Sequence, residues 1–254
     1  MSNLSIKTLL QKFRLSDDID DRAYADMKDA VEAIAACNHI THRFFYIIDF
    51  HRLNFLHVFG HKLYPWEYAP EEIKEMGFDF YARCVPQEEL GMLSEIVHAG
   101  FRSFAGMSGE EKMDISFYYN FKMRLKGLTV LACHQFTPLK LHNGKLWLVL
   151  CSITPASHPA PGRVFLRNSR HPATSQYYSF FKEKAWSDFA PFHISPTEMQ
   201  VILCHLKGMN IGDTAREISR TTYAVKKIRK ALLNKSGVDN FTSFCQLALL
   251  HQQI

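Results

Sequence analysis

Between Thr221 and Ser236 the chain carries Lys226, Lys227, Arg229, Lys230 and Lys235 and not one acid. Cations at that density neutralise phosphate oxygens, and the hydroxyls of Thr221, Thr222 and Tyr223 just upstream can reach phosphates or base edges. Other chemistry-bearing residues are less organised. His39, His42, His51, His57 and His61 lie close in sequence, and His57-x-x-x-His61 has a ligand-like spacing. A metal or haem site needs ligands that converge in a pocket, whereas these fall in and around an expected hairpin, so they are read as non-ligating. Cys133-His134 and Cys204-His205 are adjacent pairs whose side chains point to different faces, which suits core packing better than a nucleophile and its base. Gly-x-Ser-x-Gly, P-loop and dinucleotide-binding patterns are absent, so neither an enzyme nor a cofactor is expected.

The elements that must position these residues begin with composition. The 254 residues are 47% hydrophobic and 22% charged, an ordinary globular balance that fits one large domain or two smaller ones. Apolar runs such as Leu146–Cys151 are far too short to cross a bilayer, and Met1–Leu15 lacks a signal-peptide core. Six cysteines without Cys-x-x-Cys spacing read as reduced core thiols of a cytoplasmic protein. From Ile194 onward eight Lys/Arg face four Asp/Glu, a net +4, while the first 193 residues hold 22 basic against 21 acidic, a net +1.

Apolar spacing before residue 40 predicts two helices, split by the acidic turn Ser16–Asp21. Phe44–Ile48 and Asn54–Phe59 predict a hairpin, Pro65–Tyr68 and Pro70–Met76 short helical turns, and Pro86 the start of a longer helix. Asp114–Leu125, Leu128–Leu141 and Lys145–Thr154 read as three adjacent strands, the last two joined at Asn143-Gly144, a strong hairpin signal. Ser157–Gly162 breaks the pattern; Arg163–Arg167 and Gln176–Phe181 suggest one more hairpin, and Ala185–Phe192 reads as a linker. Beyond it, Ser195-Pro196-Thr197-Glu198 is a helix start that runs to about Lys207 before Gly208. Asn210 begins a second helix to about Ser219, Thr221 caps a third to about Lys235 before Gly237, and Asn240 starts a fourth that buries Phe241, Phe244, Leu247 and Ala248. On the third, Val225, Ile228 and Leu232 share one stripe while Thr222, Tyr223, Lys226, Lys227, Lys230 and Asn234 share the opposite arc. A solvated surface helix usually interleaves both signs of charge, and this one does not.

In this region Ile194, Ser195, Glu198, Val201, Ile202, Gly208, Ala215, Ile218, Thr221, Val225, Lys226, Leu232, Lys235 and Val238 fall, without a gap, on the pattern of the LuxR-type (GerE-like) helix-turn-helix, which Ile194–Ala248 resembles. Thr214, Arg220, Ala224 and Ser236 depart from it. The resemblance implies that Lys226, Lys227 and Lys230 face bases and that Thr221, Thr222, Tyr223 and Arg229 lie nearer the phosphates, with Lys235 beside the helix end. Phe44–Thr154 resembles a PAS sensor domain through Phe45-Tyr46-Ile47-Ile48-Asp49, Tyr68–Ile73, Val85–Leu90 and His142–Trp147, in that order. Tyr81-Ala82-Arg83-Cys84-Val85 does not supply the flavin-photosensor signature, the β-rich block after Met113 does not alternate as a receiver domain would, and the Trp, Tyr and Asp spacing of the quorum-sensor ligand domain is missing.

The expected fold class is therefore α+β: a PAS-like five-stranded antiparallel sheet with flanking helices, followed by a four-helix LuxR-type helix-turn-helix. The expected organisation is N-terminal helices at 1–40, sensor at 41–156, hairpin and linker at 157–190 and DNA-binding domain at 191–254. The function these readings imply is a sequence-specific transcription regulator of double-stranded DNA, homodimeric, with a small-molecule ligand or partner acting on its PAS-like domain. The alternative is that this domain is a ligand-free dimerisation or docking module. No membrane partner is expected, and the sequence does not name ligand-binding residues.

Overall fold

The computed structural model describes residues 6–41, 43–60, 68–156, 162–171, 174–179, 184–188, 193–236 and 240–250. His42, His61, the expected turn at Pro65, the break at Ser157–Pro161, the linker residues Phe189–Phe192, and Gly237 and Val238 lie outside them. The chain divides into two compact units, one ending at Asp188 and the other holding the described residues from His193 onward.

The first unit starts with α1 (Ile6–Gln11), α2 (Asp21–Ala25) and α3 (Lys28–Thr41), one helix more than the spacing predicts. Asp20 starts α2 at the expected split by accepting from Ala23 N, and the extra break follows one turn later, where Asp26 N donates to Arg22 O and Tyr24 O and closes α2. β1 (Phe44–Asp49) and β2 (Asn54–Phe59) follow as the expected hairpin. Its turn is built on buried Asp49, whose carboxylate accepts from His51 N and Arg52 N at 2.9 and 3.2 Å and from Tyr24 Oη at 2.7 Å. Next come α4 (Pro70–Met76), α5 (Asp79–Cys84), α6 (Gln87–Ala105) and α7 (Gly109–Met113). Helix α7 starts at a reciprocal capping box formed by Ser108 and Glu111.

β3 (Ile115–Leu125), β4 (Leu128–His142) and β5 (Lys145–Pro155) form the three long antiparallel strands predicted. Asn143 and Gly144 both take positive φ, 49° and 72°, the two-residue turn whose twist suits a hairpin. β6 (Arg163–Asn168), β7 (Gln176–Ser179) and β8 (Trp186–Asp188) complete one antiparallel sheet in the order β2-β1-β5-β4-β3-β6-β7-β8.

The expected five-stranded sheet is thus corrected to eight strands. A five-strand sheet would leave β3 as an edge, but Ile115–Tyr119 pairs with Val164–Asn168, and β7 and β8 extend the ladder. Burial drives the extension: Val164, Leu166 and Tyr178 join the main core, and Trp186, in the stretch read as linker, packs on Phe117 and Tyr178 at ring distances of 5.9 and 5.2 Å.

Both sheet faces near β1 and β5 are covered. Tyr46, Ile48, Phe117, Tyr119, Phe121, Phe136 and Cys151 bury with α1, α5 and α6, while Ile47, Trp147 and Leu148 bury with Met27 and the helices α2 and α3. Helix α6 is seated closely because Gly100 faces Phe117, where an added Cβ would lie 2.5 Å from the ring.

The second unit contains α8 (Pro196–Leu206), α9 (Ile211–Glu217), α10 (Thr222–Ser236) and α11 (Phe241–Leu250) around buried Val201, Ile202, Ala215, Val225, Leu232, Phe241, Phe244 and Ala248. Ser195 and Glu198 form the capping box at α8, and Gly208 ends it at φ 79° while Met209 N donates to Cys204 O.

Two substitutions in α6 test the packing directly. Gly91 has open space around its missing side chain, so Gly91→Ala should stabilise the protein by up to about 1 kcal/mol through helix propensity. Gly100→Ala should instead destabilise it by about 1–3 kcal/mol in urea unfolding, because Phe117 must move; equal effects at the two glycines would contradict this packing.

Candidate functional site

Helix α10 carries the basic cluster, and its orientation follows from the side it buries. Val225 and Leu232 are fully buried against α8, α9 and α11. Thr221, Thr222, Tyr223, Lys226, Lys227, Lys230 and Asn234 are all exposed, with Tyr223 at 74%. Thr221 caps the helix by accepting from Ala224 N at 3.1 Å, so its hydroxyl serves the fold as well as the surface. The N-terminal half of α10 therefore presents hydroxyls and a phenol, and the following turns present three ammonium groups.

Arg229, expected near the phosphates, is placed differently. It is partly buried, its Nη2 donates to His205 Nδ1 at 2.6 Å, and its guanidinium stacks over the Phe241 ring at 4.2 Å. Burial lowers the pKa of His205, and the adjacent Arg229 lowers it further; with Nδ1 accepting, Nε2 is the protonated nitrogen, and it lies 3.4 Å from Thr242 Oγ1. Arg229 thus holds α8, α10 and α11 together and stands apart from the exposed lysines. Lys235, expected beside the helix end, reaches instead to Glu198 Oε1 at 2.7 Å and His193 O at 3.2 Å. Glu198 also accepts from Ser195 N at 2.8 Å. Burial opposes its ionisation, but the bonds from Lys235 and Ser195 outweigh that and hold the carboxyl below its ordinary value. One carboxylate therefore joins the start of α8 to the end of α10.

The first unit holds a site that sequence reasoning left as core. Tyr46 of β1, Cys151 of β5, His134 and Phe136 of β4 and Tyr119 of β3 sit on one sheet face, and Tyr81 of α5 packs over them. Tyr46 Oη lies 2.5 Å from Tyr81 Oη and is also hydrogen-bonded to His134 Nε2. Burial raises the tyrosine pKa values well above the ordinary one and pushes His134 down to about 3, so all four groups are neutral. His134 Nδ1 is buried and has no partner among the described residues. Tyr81, Tyr119 and His134 border a cavity of about 30 Å³ whose other walls are Leu10, Ile48, Leu93, Val97, Gly100, Phe101, Phe104, Phe117 and Phe136. The signal that could have found it is strand alternation: Ala132, His134 and Phe136 all face inward along β4.

The remaining histidines do not converge. His39 and His57 are exposed, His57 stacks on Phe59, and His51 Nδ1 lies 3.0 Å from Tyr24 Oη. Among the described residues no cluster of His, Cys, Asp and Glu has the arrangement of a metal site, and no helix is long and apolar enough to cross a membrane.

No protein-family model matches the chain, and no curated protein does. Solved structures similar to it include a phage VqmA–DPO complex, at 12% identity over 87% of this chain and 88% of that one, with a TM-score of 0.33. A Vibrio cholerae VqmA–ligand–DNA complex is 15% identical over 86% and 87% of the two chains, TM-score 0.33. The V. cholerae VqmA dimer without target DNA, described as a LuxR-type receptor, is 14% identical over 86% of each chain, TM-score 0.31.

His134 makes a pH dependence readable. Its folded pKa of about 3 lies below the unfolded 6.5, so the unfolded chain alone takes up this proton as pH falls from 6.5 toward 3. The stability is present above pH 6.5 and is lost below it at up to about 1.4 kcal/mol per pH unit. All three tryptophans precede residue 189, so urea unfolding followed by their fluorescence reports the first unit. His134→Leu should flatten that slope between pH 6.5 and 4; an unchanged slope would show that the ring is not held neutral.

Proposed function

We propose that the chain is a sequence-specific DNA-binding transcription regulator in which 191–254 binds the duplex and 41–156 senses a small ligand. The single observation that carries the DNA reading is the acid-free exposed arc of α10, with Thr222, Tyr223, Lys226, Lys227, Lys230 and Asn234 outward and Val225 and Leu232 buried. A helix of this kind, preceded by a short helix and a tight turn, can enter a major groove with its N-terminal residues at base edges and its lysines on bases or phosphates. Thr221, Thr222 and Tyr223 are assigned to the near backbone and base edges, and Lys226, Lys227 and Lys230 to base and phosphate contacts. Arg229 is assigned a bracing role, because its Nη2 already donates to His205 and its guanidinium plane is stacked over the Phe241 ring.

The cavity bordered by Tyr81 and His134 supports the sensing part of the proposal. A homodimer would place two α10 helices on the half-sites of an inverted repeat, and a ligand would shift their spacing by no more than its differential affinity for the two arrangements. The second reading, a ligand-free docking module, requires DNA affinity that no small molecule alters.

Lys226→Ala and Lys230→Ala are expected to weaken binding to a selected duplex by about 1–3 kcal/mol each and to lower the salt slope by about 1 for each phosphate no longer neutralised. Both side chains are exposed, so thermal unfolding should be unchanged. Wild-type affinity in both variants would remove α10 from the interface.

A further inference from the structure

Arg220 is the last residue before the cap of α10 and one of the four positions that depart from the helix-turn-helix pattern. Its backbone is pinned from both sides. Ser219 takes φ 52°, which turns the chain out of α9, and Arg220 N donates to Ala215 O at 2.9 Å. On the other side Thr221 caps α10. The side chain, by contrast, is exposed, and among the described residues no hydrogen bond or ion pair holds it. The neighbouring arginine is already neutralised, because Arg216 pairs with Asp213 within α9. Glu217, three residues before Arg220, is exposed and makes no ion pair with it. A fixed stretch of backbone thus carries an unpaired guanidinium at the start of the helix that holds the exposed lysines.

That charge stands where the arc of α10 has none. Lys226, the first cation of the arc, comes five residues after Thr221, about 7.5 Å along the helix axis. The exposed residues before it, Thr222 and Tyr223, are neutral. Resting on the DNA-binding function proposed above, we infer that Arg220 is a positioning residue that grips a backbone phosphate at the N-terminal edge of α10 and so holds Thr222 and Tyr223 at the groove. Two residues of chain span no more than about 7 Å, so Arg220 starts within one side-chain length of Thr222. Its neighbour Thr221 is assigned to the near backbone, which puts a phosphate within reach before any base edge. The guanidinium suits that partner, since its planar fork can donate to two oxygens of one phosphate. Because residues 219–221 are fixed before DNA arrives, binding has only the rotamers of this side chain left to order.

The test pairs variants of the full chain with a selected duplex whose phosphates are replaced, one at a time, by neutral methylphosphonate. With the wild-type protein, one such replacement at the edge of each half-site is expected to weaken binding about tenfold at about 0.1 M salt, because each phosphate contact carries a slope of about 1 in log affinity against log salt. Arg220→Gln should show the same loss and the same fall in slope per half-site, and should no longer respond to methylphosphonate at that position. Arg220→Lys, which keeps the charge, should restore both. The weakening should be equal on the best duplex and on its single-base variants, since a phosphate carries no sequence. Thermal unfolding should stay unchanged, because the side chain is exposed. A wild-type salt slope in Arg220→Gln would overturn the inference, and so would a lost slope with every methylphosphonate effect intact. If Lys226→Ala weakens binding while Arg220→Gln does not, Arg220 alone leaves the interface; if the wild-type protein prefers no duplex, the DNA reading fails and takes this inference with it.

Discussion

Complete burial of Val225 and Leu232 fixes which side of α10 faces water, and the functional account depends on that orientation. Rotating the helix to bury its lysines would desolvate charges at a cost that an apolar core of this size cannot offset. Once the two residues are inside, Lys226, Lys227 and Lys230 have only the surface available. The same constraint turns Arg229 inward, because it lies four residues after Val225 and three before Leu232, on the edge of the buried stripe. Its charge is tolerated there by the Phe241 face and the His205 acceptor.

The first unit applies the equivalent rule with period two. Alternation along β3, β4 and β5 sends Tyr119, His134 and Cys151 to the same face as Tyr46, where they meet Tyr81. Polar groups placed so deep must bond to one another, and the row from Tyr81 to His134 leaves an end unsatisfied. Packing closes around it nearly completely, with Phe117 seated on Gly100.

Much of this was legible in the sequence. Local chemistry made it so: the Asn143-Gly144 turn, the Ser195–Glu198 capping box and the stop at Gly208 each act within a few residues. What stayed hidden depends on contacts distant in sequence. β8 reads as linker because three residues carry no usable period, and only the approach of Trp186 to Phe117 makes it a strand. Arg229 reads as a phosphate contact because its charge speaks louder than its position, although the spacing from Val225 already places it near the core. His134 reads as packing, which it is; its open Nδ1 appears only when Tyr46 is seen to occupy Nε2.

Selection of duplex DNA from fragmented genomic DNA by the full-length protein, followed by titration of the best fragment at several salt concentrations, tests the central claim most directly. The account predicts a short inverted repeat whose affinity falls steeply as salt rises, because lysines on α10 displace counterions from phosphates. Weak binding without sequence preference, persisting when cell extract is added, would contradict it.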